Sequence, residues 1–181
     1  MAKVDSITPE ILRELLRYDP NTGKLYWKPR GRECFSSDRA FKAFNSKFAG
    51  KEALTSPNES GYKRGNVLGV TVRAHRAGWA IYYGEWPNGF IDHVNGDTSD
   101  NRLANLRTAT QTQNMWNTRP TKNCKSKLKG VHFCKTTNRW RSKIRLDGKH
   151  IHLGRFDTEE AAHAAYCKAA KNYHGEFART E

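Results

Sequence analysis

Acidic residues are scarce in this 181-residue chain: 18 Asp and Glu stand against 32 Lys and Arg, a formal net charge of +14. That shortage points to a polyanionic partner, most often nucleic acid. Long apolar runs are missing too. No stretch approaches the about 18 apolar residues that a membrane span needs. The start, MAKVDSITPEILRELL, has no apolar core of a secretory signal. Cysteine is sparse. Cys34, Cys124, Cys134 and Cys167 contain no CxxC pair, which excludes a disulfide framework and a zinc knuckle. Cys124 and Cys134, with His132, His150 and His152, are spaced unlike structural zinc ligands, which pair at short intervals. A reducing cytoplasm is the expected compartment. Aromatic residues, at 11%, are too many for a disordered basic tail.

The charge is uneven. Lys122 to Arg155 holds eleven Lys and Arg and one acid, Asp147, so this stretch carries +10 of the +14. The asymmetry marks a second module. The polar, basic segment TRPTKNCKSKL, with Pro120, reads as a linker. The expected division is 1–118, a linker at 119–127, and 128–181.

In the first module, Thr8–Arg17 reads as a short helix. Thr8 caps it, Pro9 suits the first position, and Ile11, Leu12, Leu15 and Leu16 share a face. DPNTGKLYWK reads as a turn into a strand. FNSKFAGKEA and the segment from Gly61 onward suggest further strands, leading to a helix from about Arg73 to a Gly84 cap.

In the second module, KGVHF, RWRSKIR and HIHLG are strand-like, with Asp147-Gly148 as a hairpin turn between the last two. Alternation places Arg139, Arg141, Lys143 and Arg145 on one face of the middle strand, and Trp140, Ser142 and Ile144 on the other. Four cations in one row repel each other unless a polyanion covers them. A helix follows, with Asp157 and Glu160 as a capping box, Gly175 as its end, and a small-residue face that suits packing on the sheet.

The most informative stretch is IDHVNGDTSDNRLANLRTATQTQN, from Ile91 to Asn114. It places Asp92-His93 at a strand end, then a run of asparagines. A carboxylate beside an imidazole divides the labour of phosphodiester cleavage: a neutral His takes a proton from water, and Asp with an amide oxygen suits a hard divalent cation that faces phosphate.

Asp92-His93, Asn105 twelve residues after His93 and Asn114 twenty-one after it resemble the HNH endonuclease motif, above all that of phage homing-type enzymes. The resemblance runs from about Phe44 to Asn117, and FNSKFAGK and GYKR resemble the leaders of free-standing phage members. It implies two strands and a helix around one metal. Asp92 and Asn114 would be metal ligands, His93 the general base, and Asn105 the residue that holds the loop orienting His93. An amide at the last position, where other members have His, favours Mg²⁺, with Mn²⁺ also fitting. His75, in the HR pair that opens the preceding helix, is expected to be structural. Asn95, Asn101 and Asn117 are expected as turn or helix-surface residues.

The second module, from about Leu128 to Gly175, resembles the plant ethylene-response-factor DNA-binding domain. That resemblance implies a three-stranded antiparallel sheet in the major groove with a helix behind it. The matching contact positions are Lys129, His132, Lys143, Arg145, His152 and Arg155. Lys143 replaces the family's usual glutamate, and His152 a contacting tryptophan.

The expected fold class is α+β, a ββα-metal module followed by a three-stranded antiparallel sheet packed on one helix. The expected function is metal-dependent hydrolysis of double-stranded DNA, leaving a 5′-phosphate, by a monomeric, site-preferring, nicking homing-type enzyme of phage origin in the infected bacterial cytoplasm. The alternative is a DNA-binding regulator with an inactive nuclease remnant. The intact Asp92, His93, Asn105 and Asn114 set argues against it.

Overall fold

The computed structural model describes residues 7–119, 126–146 and 148–180. The chain is a mixed α/β protein with antiparallel sheets, and it divides into two compact units, 1–108 and 109–181.

In the first unit, α1 (Pro9–Leu15) starts where the Thr8 hydroxyl accepts from the Ile11 N–H, and Pro9 occupies the first turn. The chain then extends into β1 (Leu16–Asp19), turns, and returns as β2 (Lys24–Trp27). α2 (Asp38–Phe48) follows, then β3 (Glu52–Ala53), which pairs with β2. A second sheet is built from β4 (Ser56–Pro57), β5 (Lys63–Val67) and β6 (Val70–Arg73), and leads straight into α3 (Ala74–Tyr83). Gly84 ends α3 in the left-handed conformation, at φ 83°. The last two strands, β7 (Phe90–His93) and β8 (Leu106–Ala109), pair as a ribbon. The core gathers Leu12 and Leu16, Tyr18 and Leu25, Val67, Val70 and Val72, and the small face of α3, Ala74, Ala77 and Ala80. Ile11 and Leu15 pack on it from the edge.

The second unit opens with α4 (Gln111–Trp116). Thr110 and Gln113 form a reciprocal capping box at its start. β9 (Val131–Cys134), β10 (Arg139–Leu146) and β11 (Lys149–Phe156) form an antiparallel sheet with β10 central, and α5 (Glu159–His174) follows. Ile144 of β10 is buried in a cluster with Tyr166, Ala169 and Ala170 of α5, where small side chains let helix and strand approach closely. Trp116 of α4 stacks on His174 with ring centroids 4.2 Å apart and planes 9° from parallel. The Lys129 ammonium donates to the carbonyls of Trp116 and Thr118 at the C-terminal end of α4, where a cation is favoured by unsatisfied carbonyls.

Several local expectations change, among them the end of the first helix, expected at Arg17 but found at Leu15, with Leu16 and Arg17 in β1. Phe44–Phe48 was expected as a strand but belongs to α2, whose Phe41, Phe44 and Phe48 recur at helical spacing. Phe44 and Phe48 meet the Trp27 ring edge-on at 6.2 and 6.5 Å. The cap of α5 is Thr158, whose hydroxyl accepts from Ala161 N–H at 3.1 Å; Asp157, expected in a capping box, instead pairs with Arg139. Asn117, expected as a turn or helix-surface residue, is the turn residue that ends α4, but it is buried, 7% exposed, and its carbonyl accepts from Arg179. The expected turn residue Asp147 lies outside the described residues, while Gly148 has φ 78°.

The turn between β1 and β2 supports the loop between β7 and β8. Leu103 N–H donates to Pro20 O at 2.9 Å, and the Tyr18 hydroxyl donates to Asn101 O at 2.7 Å. Gly23, at φ +70°, lies so close that a Cβ would come 2.3 Å from the backbone of Asn101 and Arg102. Gly23→Ala therefore combines left-handed strain with a backbone clash, and should cost about 2–4 kcal/mol of stability. Gly50→Ala, at φ +78° with nothing within 4 Å of the added Cβ, should cost only the conformational part, about 1–2 kcal/mol. Urea unfolding of both variants checks the order.

Candidate active site and nucleic-acid interface

β7 ends on Asp92 and His93, 4% and 3% exposed. Burying a carboxylate and an imidazole requires partners for both. One partner of Asp92 is Arg107 of β8: its Nε and Nη2 donate to Asp92 Oδ2 at 2.9 and 2.7 Å. One partner of His93 is Asn101, whose Oδ1 lies 3.1 Å from Nε2. An amide oxygen accepts, so this contact is made by the tautomer with its proton on Nε2. The ring also packs against His75 at 5.2 Å and Tyr62 at 5.6 Å. Burial pulls the His93 pKa below its ordinary value, opposed by the Asn101 bond and by Asp92, Asp100 and Asp97. His75 is 3% exposed and pushed down to about 3 by burial, then by His93, Arg73 and Arg76, so it stays neutral at physiological pH. It is a packing residue of the wall around His93, as its place in the HR pair suggested.

Asn105 sits in the 3₁₀ turn before β8 and ties the loop closed. Its Oδ1 accepts from Asn95 N–H at 2.9 Å, its Nδ2 donates to Asp100 O at 2.8 Å, and its backbone carbonyl accepts from Val94 N–H at 2.9 Å. Asp100 is gripped by Arg102 through two nitrogens and by Asn95 Nδ2; the Arg102 bonds, first among the causes, hold its pKa down to about 2. Asn95 is the turn residue expected, its Oδ1 accepting from Asp97 N–H. Asn101 is not: it is 2% exposed and holds the His93 ring.

Asp92, His93 and Asn105 thus lie together in the first unit. Asn114 lies on α4, half-buried, in the second. Among the described residues no group of three or more His, Cys, Asp or Glu side chains is arranged to hold a metal ion. The candidate ligands are instead one carboxylate and one amide oxygen. Neither is a soft donor, and such a set fits a hard divalent cation that keeps most positions for water and phosphate.

On the second unit, β10 presents the expected cationic row, and the neighbouring strands add to it. Arg141 lies between His132 of β9 and Arg155 of β11, Lys143 opposes His152, and Arg145 opposes His150. His132, Arg141, Lys143, His150, His152 and Arg155 line one bowl of about 350 Å³. Burial, with Lys143, Arg141 and His152 beside it, lowers the pKa of His132. Two expected contact residues are engaged elsewhere. Arg139 is paired with Asp157 at 2.6 Å. Lys129 is turned onto α4, and burial, then Arg179, pushes its pKa down to about 8. His150 belongs to the bowl although only its alternation with Ile151 signalled it. Arg107 and Asn101 were missed, since nothing in the local sequence separates them from ordinary loop residues. No described helix is long and apolar enough to cross a membrane.

Residues 72–116 match the HNH endonuclease family and residues 126–176 the AP2 domain. Protein 3.8 of Escherichia phage T7 is 33% identical over 108 residues, which cover 59% of this chain and 88% of that protein. The AP2-like ethylene-responsive transcription factor TOE2 of Arabidopsis thaliana and APETALA2-like protein 2 of Oryza sativa subsp. japonica are each 46% identical over 50 residues. Those residues are 28% of this chain but only 10% and 12% of the two plant proteins. No solved structure matches significantly. The family match begins just before the HR pair and ends on α4, so it spans Asp92, His93, Asn105 and Asn114; together with the phage relative, it makes this chain a nuclease of the HNH endonuclease family that also carries an AP2 domain.

Proposed function

We propose that the chain is a phage DNA endonuclease that hydrolyses one phosphodiester per encounter, with a divalent cation, Mg²⁺ or Mn²⁺, held by Asp92 and Asn114. The observation that carries this reading is the buried Asp92-His93 pair, with His93 fixed through Nε2 by Asn101. His93 takes a proton from water at Nδ1, and the water oxygen attacks phosphorus. The P–O3′ bond breaks and the leaving O3′ takes up a proton from solvent water, leaving a 3′-hydroxyl and a 5′-phosphate. Asn105 keeps the loop that carries Asn101 closed, and Asn101 keeps the imidazole in one tautomer and orientation. The cation, when bound, stabilises the phosphate and the leaving oxygen. The family match over residues 72–116 supports reading that segment as a ββα-metal module, and the AP2 match supports residues 128–181 as the DNA reader.

The DNA partner follows from the two domains, and the bowl on β9, β10 and β11 is its docking face. Like charges opposed across strands destabilise a sheet when it is bare. Phosphates remove that repulsion and release counterions on binding. One set of nuclease residues per chain implies nicking by a monomer, since cutting both strands at once needs a second centre. The target site and a homing role belong to the same proposal.

Two measurements test it. With Mg²⁺, supercoiled plasmid should give relaxed circles before linear product, and chelation should stop the reaction. His93→Ala should lose about 100-fold or more in rate while still binding DNA. Wild-type cleavage by that variant would remove His93 from the mechanism. The second measurement is the pH dependence of DNA affinity at fixed ionic strength. The His132 pKa is low in the free protein, and phosphate raises it on binding, so binding takes up protons. Affinity should therefore climb as the solution is acidified from roughly pH 8 to 6. His132→Gln should flatten the curve.

A further inference from the structure

Among the described ion pairs, Arg107–Asp92 is the most secluded: its side chains are 15% and 5% exposed. The other pairs each have a partner at least 30% exposed. Surface pairs of that kind contribute little. A buried fork on a single carboxylate oxygen is different, because it fixes the orientation of that carboxylate. Here the carboxylate is the one that the proposed reaction assigns to the cation, and Arg107 Nε and Nη2 both reach its Oδ2.

We infer that Arg107 is a positioning residue of the nuclease that stands in for the divalent cation at Asp92, holding Oδ2 in the metal-free protein and yielding it when cation and DNA phosphate arrive together. This rests on the reading of Asp92 as a metal ligand. The physical logic is a balance of charge. A buried carboxylate with no counter-charge is costly, so the metal-free site needs a cation of its own. A divalent ion at the same oxygen then meets the guanidinium as a like charge a few ångströms away, which opposes binding of the metal alone. A DNA phosphate offers the guanidinium a new anion. The negative charge on that phosphate grows as water attacks, so a cation already present at the site gains interaction as the reaction proceeds. Arg107 thus weakens metal binding in the absence of DNA and favours the reaction in its presence. A residue that only held the fold together would do neither.

The test uses the full chain and Mn²⁺ alone, with bound ion counted by electron paramagnetic resonance, alongside single-turnover cleavage. Arg107→Gln should bind Mn²⁺ about tenfold more tightly than wild type, the scale of losing a competing charged hydrogen bond, yet cleave more slowly. Arg107→Lys, which keeps the charge but loses the fork, should bind Mn²⁺ more tightly by a smaller factor and recover part of the cleavage; it also serves if the Gln variant fails to fold. Mn²⁺ affinity equal to or weaker than wild type in the folded variants would overturn the inference. Asp92→Asn separates this from the underlying reading. It should abolish Mn²⁺ binding, and if it does not, Asp92 is no ligand and the role of Arg107 falls with it. If Asp92→Asn loses Mn²⁺ while Arg107→Gln binds it as wild type does, only the stand-in role is wrong.

Discussion

The site depends on the closure of the loop between β7 and β8. Eleven residues separate His93 from Asn105, and a free loop of that length would leave the imidazole to rotate. The Asn105 amide closes it at both ends, accepting from Asn95 and donating to Asp100, while strand pairing continues through Val94. Once closed, the loop places Asn101 against the His93 ring, and the first hairpin braces Asn101 from outside through Tyr18 and the Gly23 turn. Side chains far apart in sequence thereby fix one nitrogen of one histidine.

Charge is managed differently in the two units. In the first, the decisive carboxylate and imidazole are buried, and each is matched by a partner of suitable geometry, a guanidinium fork or an amide oxygen. In the second, cations and imidazoles oppose one another across strands with no acid among the lining residues of the bowl. That surface gains most when an external polyanion covers it. Other basic residues of this unit have internal work: Arg139 holds Asp157 beside the start of α5, and Lys129 donates to carbonyls at the end of α4.

Much of this was legible in the sequence because it is local. Thr8 and Pro9 announce α1, Gly84 ends α3, and the strict alternation of Arg139 to Arg145 gives the two faces of β10. The Asp92-His93 pair at a strand end, with Asn105 and Asn114 downstream, carried the nuclease reading. What stayed hidden is non-local. Arg107 acquires meaning only when β8 lies beside β7, and Asn101 only when its loop folds back on His93. The strand expected at Phe44–Phe48 failed because a short apolar run fits either period; Trp27 and Phe35, from outside the run, pack on its rings in the helix. The cap of α5 shifted by one residue because Asp157 had a cross-element partner that local pattern does not show.

The central claim is that closure of this loop, and not merely the presence of His93, makes the site competent. Single-turnover cleavage of supercoiled plasmid by Asn105→Ala, at saturating protein and Mg²⁺, tests it most directly. With the Asn95 and Asp100 bonds gone, the rate should fall by about 100-fold or more, the scale of a misplaced catalytic group, while DNA affinity stays at the wild-type value because the AP2 domain is untouched. Cleavage by Asn105→Ala at the wild-type rate would contradict the account.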